Sequence, residues 1–518
     1  MKRRPNPWAV AWLGLAIGMI WAFPVAGDDQ MSTAPERPGS SGGRRSVAEG
    51  FPLRFPRWPE LSEHTFTLAR WFPEEPTEDV PAGASSIPGQ GAPGGTPASV
   101  RQPGTPGAPE TGSVFTLPNI PAPTVPPAPT PLLLNKALHL EDRPYRVYGW
   151  IQNSFTGNAN GLPANRVNFG VYPNHLADQW EGNQYYLVFE NPLNSTDMVN
   201  FGFRMDVLFG YDWQFTKMYG LFDRAWPDHW FPGLDLPQFY GEVHLPILTP
   251  LGLDLRVGRF YSLTGYESPQ AIARPLLSVP YSMNYTPFTY FGAYGNLHLH
   301  ERLNVFSGSI PGFDRLPNEP YKWGYIGGFN WTSRDRKMNI VIGGADAYDQ
   351  LPTFPPPYAQ DLPVGVPGPG YLPRRPNPYY DKSMRGYIVG VMTYQWTSKL
   401  TQAVETDDVF DPRILGYGAH PYRPTSAAYH GLVNWFLYEL TPKLTGVWRS
   451  EIFWDPYGLA TGNADNYHEI TLGLLYKPKD HLWIRPEVRY DWAQFTHPFN
   501  DGTRSSQLTL GFDVIVLF

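Results

Sequence analysis

Charged side chains in this chain recur at every second position in several short runs, a spacing that sets them side by side on one face of an extended strand. Arg204 and Asp206 form one pair, Asp254 and Arg256 another, Arg449 and Glu451 a third, and Arg485, Glu487, Arg489 and Asp491 a run of four, with Glu242 between Tyr240 and His244. Guanidinium and carboxylate groups alternating on a wetted wall supply no activated nucleophile. They set a transverse field and a weak preference among the ions that pass them, and they become decisive where the passage narrows. Where it does not, they are a solvated wall.

Two other sets have a different chemistry. His298 and His300 lie on one predicted strand facing Ser307 and Ser309 across a tight hairpin. These residue types could hydrolyse lipid on a barrel wall, although no third group is in place to orient the imidazole. Asp407, Asp408 and Asp411 could hold a divalent cation in an outer loop, or form an acidic turn in water. No nucleophile elbow, phosphate-binding glycine loop, H-E-x-x-H helix or calcium-loop spacing is present, so the chain reads as no enzyme and calls for no cofactor or metal. With no cysteine there is no disulfide, thiol catalysis or Cys-bound zinc. The net charge of -7, from 40 Lys and Arg against 47 Asp and Glu, argues against nucleic acid as a partner.

The elements that carry these charges are strands with two unlike faces. Phe201, Phe203, Met205, Val207 and Phe209 alternate with Asn200, Gly202, Arg204 and Asp206, and Ile484, Val488, Tyr490 and Trp492 alternate with the run of four charges. In a soluble sandwich the apolar stripe faces inward; in a membrane barrel the sides exchange. Sixteen strands are predicted, near 145–155, 183–190, 199–210, 236–245, 253–261, 292–299, 302–310, 323–331, 336–347, 385–396, 399–407, 427–439, 443–453, 466–477, 480–494 and 505–518. Their connections are short and long by parity: 246–252, 300–301 and 397–398 are tight, whereas 211–235, 262–291 and 348–384 are long. Outer-membrane barrels have tight periplasmic turns and long outer loops. An even count also closes an up-and-down barrel.

Leu508, Leu510, Phe512, Val514, Val516 and Phe518 form a last apolar stripe ending on an aromatic residue. It looks like the terminal signal, carried here by Phe512, Val514, Val516 and Phe518, that barrel assembly machinery reads. Tyr211, Trp213, Trp323, Trp331, Tyr394, Trp396, Trp435, Tyr438, Tyr476 and Trp483 stand at strand ends, as interfacial girdles require. At the other end Lys2, Arg3 and Arg4, an apolar run from Trp8 to Phe23 and the small residues Val25, Ala26 and Gly27 read as a signal peptide over 1–27. From 28 to 131 periodicity vanishes, and between Pro81 and Pro131 stand 14 Pro and 8 Gly with only Arg101 and Glu110 charged. That composition cannot bury a core and reads as a disordered periplasmic linker, with a contact to the cell wall open to it through Trp58, Phe66 and Trp71. The domain division expected is therefore 1–27, 28–131 and an all-β antiparallel transmembrane barrel over 132–518.

A barrel of sixteen strands is too wide for its own side chains to fill and leaves an aqueous channel. The expected function is passive diffusion of small hydrophilic solutes and ions across the outer membrane, with surrounding lipid as a partner. The third outer loop, about Ser262 to Phe291, carries Glu267, Arg274 and the apolar pair Leu276 and Leu277. Folding it into the barrel would cover the leucines and set Glu267 and Arg274 where solutes pass. The motif Gly258-Arg259-Phe260 leading into Gly265-Tyr266-Glu267, inside a signal-bearing barrel of this length, resembles the β-barrel porins of the OmpL-like type over roughly 145–518. That resemblance implies an outer-membrane channel and no particular substrate; analogy with sixteen-stranded general porins adds a homotrimer. The alternatives are a non-conducting barrel serving as anchor or adhesion platform, the lipid hydrolase above, and a soluble β protein that binds carbohydrate through its aromatics.

Overall fold

The computed structural model describes residues 133–194, 197–218, 221, 232–314, 316, 322–348, 384–414 and 425–518. The signal peptide over 1–27, the linker over 28–131 and nearly all of the fifth outer loop lie outside these residues.

Sixteen antiparallel strands form one closed sheet. They are β1 (Arg146–Asn158), β2 (Gln179–Asn191), β3 (Asn200–Gly210), β4 (Gly233–Asp235 continuing as Phe239–Leu245), β5 (Leu253–Tyr261), β6 (Thr289–His300), β7 (Leu303–Ile310) and β8 (Gly324–Thr332). The second half comprises β9 (Met338–Tyr348), β10 (Met384–Gln395), β11 (Leu400–Ile414), β12 (Thr425–Thr441), β13 (Leu444–Asp455), β14 (Asp465–Lys479), β15 (Leu482–Ala493) and β16 (Ser506–Leu517). Closure comes from β1 against β16, in register from Trp150↔Leu517 to Asn158↔Thr509. No edge is left to aggregate. The fourth strand is broken because Pro237 lacks an N–H for the ladder, yet both pieces pair with β3, through Leu208↔Asp235 and Met205↔Phe239.

The alternation in sequence becomes an inversion in space. Phe201 is 71% exposed and Val257 60%, whereas Asp206, Arg485 and Asp513 are wholly buried inside. Hydrocarbon outside and polar groups inside is the arrangement a bilayer demands, since the closed sheet satisfies its own backbone groups. Exposed Trp323, Trp396, Tyr438 and Tyr476 belong to the expected girdles. Trp213, Trp435 and Trp483 do not; all three are buried inside. Trp435 and Trp483 share the inward parity of Val433 and Arg485, and Trp213 lies on a short helix of the second outer loop, Trp213–Thr216.

Candidate functional site

The third outer loop, between Tyr261 and Thr289, folds into the barrel, with a short 3-10 turn at Ala271–Ala273 and one helical turn at Tyr281–Tyr285. The motif at its root explains the entry. Arg259 stands out of phase with Asp254 and Arg256 and by alternation would face lipid. Gly258, at φ +136°, supplies a backbone conformation open to glycine, and Arg259 turns inward, wholly buried. There its guanidinium donates to Asp235 at 2.7 Å and to Leu236 O at 2.6 Å, tying the broken fourth strand to the root of the loop.

Six ionisable side chains of the wall hold the loop, mostly by its backbone. Three are acceptors. Glu487 takes the N–H groups of Leu277 at 2.9 Å and Ser278 at 3.1 Å. Glu451 takes those of Tyr281 at 2.5 Å and Ser282 at 2.7 Å, with the Ser282 hydroxyl at 2.5 Å, and Glu405 takes the Tyr266 N–H. Three are donors. Arg485 reaches Ala271 O at 2.9 Å and Arg274 O at 2.7 Å, Arg449 reaches Ser278 O at 2.5 Å, and Arg489 reaches Val279 O at 2.7 Å. Buried backbone groups need partners, and this strap finds them on the barrel wall rather than in a helix or sheet. Charge-assisted bonds are the stronger kind.

The wall leaves room for the strap at glycines. A Cβ at Gly431 would lie 1.9 Å from Ser282 Oγ, and one at Gly473 would lie 2.4 Å from Leu276 Cδ2. Leu276 and Leu277 are wholly buried, so the apolar pair finds its cover here. Val279 N–H also donates to Tyr172 O of the first outer loop at 2.8 Å, which ties the two loops together.

All eleven wall charges expected to line a pore point inward. Arg204 bridges Asp206 at 2.7 Å and Glu190 at 2.9 Å, and Arg256 pairs with Glu242 at 2.7 Å with its guanidinium 3.7 Å above the Tyr240 ring. Asp254 lies between His244 at 2.5 Å and His298 at 2.8 Å. Arg449, Glu451, Arg485, Glu487, Arg489 and Asp491 differ from expectation: they lie under the strap, and five of them hold its backbone where lumen water was expected. Arg489 bridges Asp491 at 2.9 Å, Arg449 bridges Glu469 at 2.9 Å, and Arg485 bridges Asp513. Glu190, Glu469 and Asp513 were missed, although each obeys the same alternation on its strand.

The two loop charges also differ from expectation. Glu267 and Arg274 are buried against the wall instead of facing an open passage. Glu267 Oε1 accepts from Trp435 Nε1 at 3.1 Å, while Arg274 approaches Asp212 at 3.9 Å. Burial pushes the Glu267 carboxyl up to about 7, with Arg449 and Arg274 pulling the other way. Burial lowers the Arg274 guanidinium from its ordinary value, Asp212 opposing and Arg485 adding to the fall.

The hydrolytic constellation does not assemble. His298 points inward to Asp254 and Asn304, whereas Ser307 and Ser309 alternate with the inward Phe306 and face outward, so the sheet separates them. Nor do the three aspartates converge. Asp407 and Asp411 are inside, the latter on Arg385 at 3.3 Å, and Asp408 is outside on His430 at 2.6 Å.

A closed sixteen-stranded barrel, greasy outside, ionised inside and narrowed by an inserted loop, defines an outer-membrane channel of the porin class. The chain belongs to the family described as "Putative beta-barrel porin-2, OmpL-like", whose profile matches residues 144–518. Curated protein sequences give no match. Among solved structures the chain is similar to the outer membrane channel DcaP of Acinetobacter baumannii, at 10% identity and a TM-score of 0.45 over 72% of this chain and 97% of that one. It is similar also to an anion-selective porin from Comamonas acidovorans, at 9% and 0.46 over 72% and 99%. A third is OprB of Pseudomonas putida, at 10% and 0.46 over 74% and 97%.

Proposed function

We propose that this porin passes small hydrophilic solutes and ions by passive diffusion, the strap setting the size limit. The observation that carries this reading is the seating of the strap along the inner wall. Its backbone is gripped by β11, β13 and β15 and its Gln270 reaches Tyr186 on β2 and Asp206 on β3, while the neighbouring Arg204 side chain stays 13% exposed. Solutes would thus move past paired charges rather than a field of one sign, so selectivity among ions is weak. The tail over 28–131 would lie in the periplasm, and the terminal stripe would be read by the assembly machinery. A homotrimer is the arrangement that analogy with general porins supplies.

Single-channel recording in planar bilayers tests this, with the chain intact and without residues 28–131. Stepwise conductance in both is expected. Silence in both would mean a barrel that anchors or adheres without conducting.

A further inference from the structure

The outward wall carries one marked hollow. On β12–β16 an apolar depression of about 950 Å³ is edged by Phe436, Trp448, Leu472, Ile484 and Val488, and Gly446 and Pro486 put little side chain on its floor. A Cβ at Gly446 would find its nearest neighbour, Leu440 Cδ1, at 3.6 Å, so the floor is open. Concave, largely apolar sites of about 300–1,000 Å³ are the size that holds a small molecule. The depression begins beside Leu440 at the short turns and ends near Val488. From Leu482 at the foot of β15 to Val488, the strand at roughly 3.3 Å per residue and a tilt of about 40° rises about 15 Å, against an apolar band about 25 Å tall. It therefore spans one leaflet and stops near the middle of the bilayer.

Its foot lies between two turns that carry positive charge. Lys443 Nζ, on the turn between β12 and β13, donates to Pro478 O on the turn between β14 and β15 at 2.9 Å, and the Lys477 N–H donates to Lys443 O at 2.8 Å. The two turns are clamped together, and the Lys443 ammonium keeps two of its three N–H donors for a further acceptor. Lys443 and Lys479 are exposed, and Asp480 is the one acidic side chain on either turn. The turns at 192–199 and 246–252, beside the apolar outward face of β3 with Phe201, Met205 and Val207, carry no lysine or arginine.

We infer that this depression binds one anionic glycerophospholipid of the periplasmic leaflet, its acyl chains lying along Trp448 and Leu472 and its phosphate resting on Lys443 and Lys479. The two ends of the site match the two ends of such a lipid. Ammonium groups at a membrane surface attract anionic headgroups, and a headgroup without an amine of its own keeps its full negative charge for them. The height selects the leaflet, because the charged end stands at the short turns and the trough closes near mid-bilayer. This inference goes beyond passage through the channel: it rests on the barrel standing in a bilayer with its short turns in the periplasm, and not on what the channel conducts.

Because the natural chain has no cysteine, a bimane label on one introduced thiol reports one spot of the wall. Leu472→Cys sets it on the rim of the depression, and Met205→Cys sets it on β3. The labelled barrels are placed in vesicles that mix phosphatidylglycerol with phosphatidylethanolamine of the same chain length, one or the other brominated on its chains to quench the label. At Leu472→Cys the phosphatidylglycerol should bind about fivefold tighter, the attraction of one net positive charge near the surface. At Met205→Cys the two lipids should quench alike. Adding Lys443→Gln and Lys479→Gln, or Gly446→Phe to fill the floor, should abolish the preference at Leu472→Cys. Equal quenching there, a preference for the zwitterion, the same preference at Met205→Cys, or a preference that survives these substitutions would overturn the inference. So would relief of quenching by added lipopolysaccharide, or a label that neither lipid reaches because protein covers it. Heat-modifiable gel mobility, retained in every variant, reports that the barrel has formed, and conductance is read separately, so a silent channel leaves this test intact.

Discussion

The carboxylate of Glu487 is the most direct handle on the strap. It accepts the N–H groups of Leu277 at 2.9 Å and Ser278 at 3.1 Å, and both residues are wholly buried. Glu487→Ala would leave both donors without a partner in a place water reaches poorly, at about 1–3 kcal/mol for each orphaned group. A middle value of about 3 kcal/mol for the pair weakens docking of this stretch roughly 150-fold, since each 1.4 kcal/mol is a factor of ten. The flanking arginines stay in place, Arg485 on Arg274 O and Arg489 on Val279 O, so the strap should loosen at its middle and remain tethered at both ends. Single-channel recordings should then show larger and noisier steps. Chymotrypsin added from outside should gain access at Tyr281 or Tyr285. Glu487→Gln keeps one acceptor oxygen and should fall between. If Glu487→Ala folds with normal heat-modifiable mobility, yet conducts and resists chymotrypsin as the natural chain does, the strap is not held by its backbone and the reasoning fails.

Other expectations follow from the same contacts. Gly431→Ala drives a methyl into Ser282 Oγ, which Glu451 holds at 2.5 Å, and should cost about 1–3 kcal/mol of strap docking and raise conductance; Gly446→Ala, with its nearest neighbour at 3.6 Å, should do neither. Docking should also depend on pH through Glu267. The buried carboxyl holds its proton up to about 7, whereas a released one loses it near 4.5, so docking weakens as pH rises between these values and levels off above. Conductance should rise across that window, and Glu267→Gln should flatten the profile; a flat profile in the natural protein would count against the buried position. On the lipid face, Val257→Arg should lower the stability of the folded barrel by about 2–4 kcal/mol in urea titrations of refolding into lipid vesicles, and Val257→Leu should not.

Much of this protein was legible in its residues because a membrane barrel is written locally. Alternation at period two says which side chains share a face, and the parity of connection lengths says which end is which, without any knowledge of distant contacts. Hence the strands, their closure and the inward direction of all eleven wall charges could be read directly. Insertion of the third loop was also readable, because Leu276 and Leu277 are too apolar to stay in water.

What the charges touch was decided only in three dimensions. Arg449 and Ser278, or Glu487 and Leu277, are separated by 171 and 210 residues in sequence, and backbone N–H and C=O groups carry no residue-type signal that could announce such a pairing. Arg259 shows the same limit at short range, since the positive φ of Gly258 reverses its side against the local alternation. Trp435 reads as a girdle residue until the strap arrives beneath it and supplies Glu267. The sequence determined which face the regularly alternating side chains take, because that depends on neighbours two residues away; the tertiary structure alone decided the exceptions such as Arg259, and which inward charges meet water and which meet protein, because that depends on where a distant loop comes to rest.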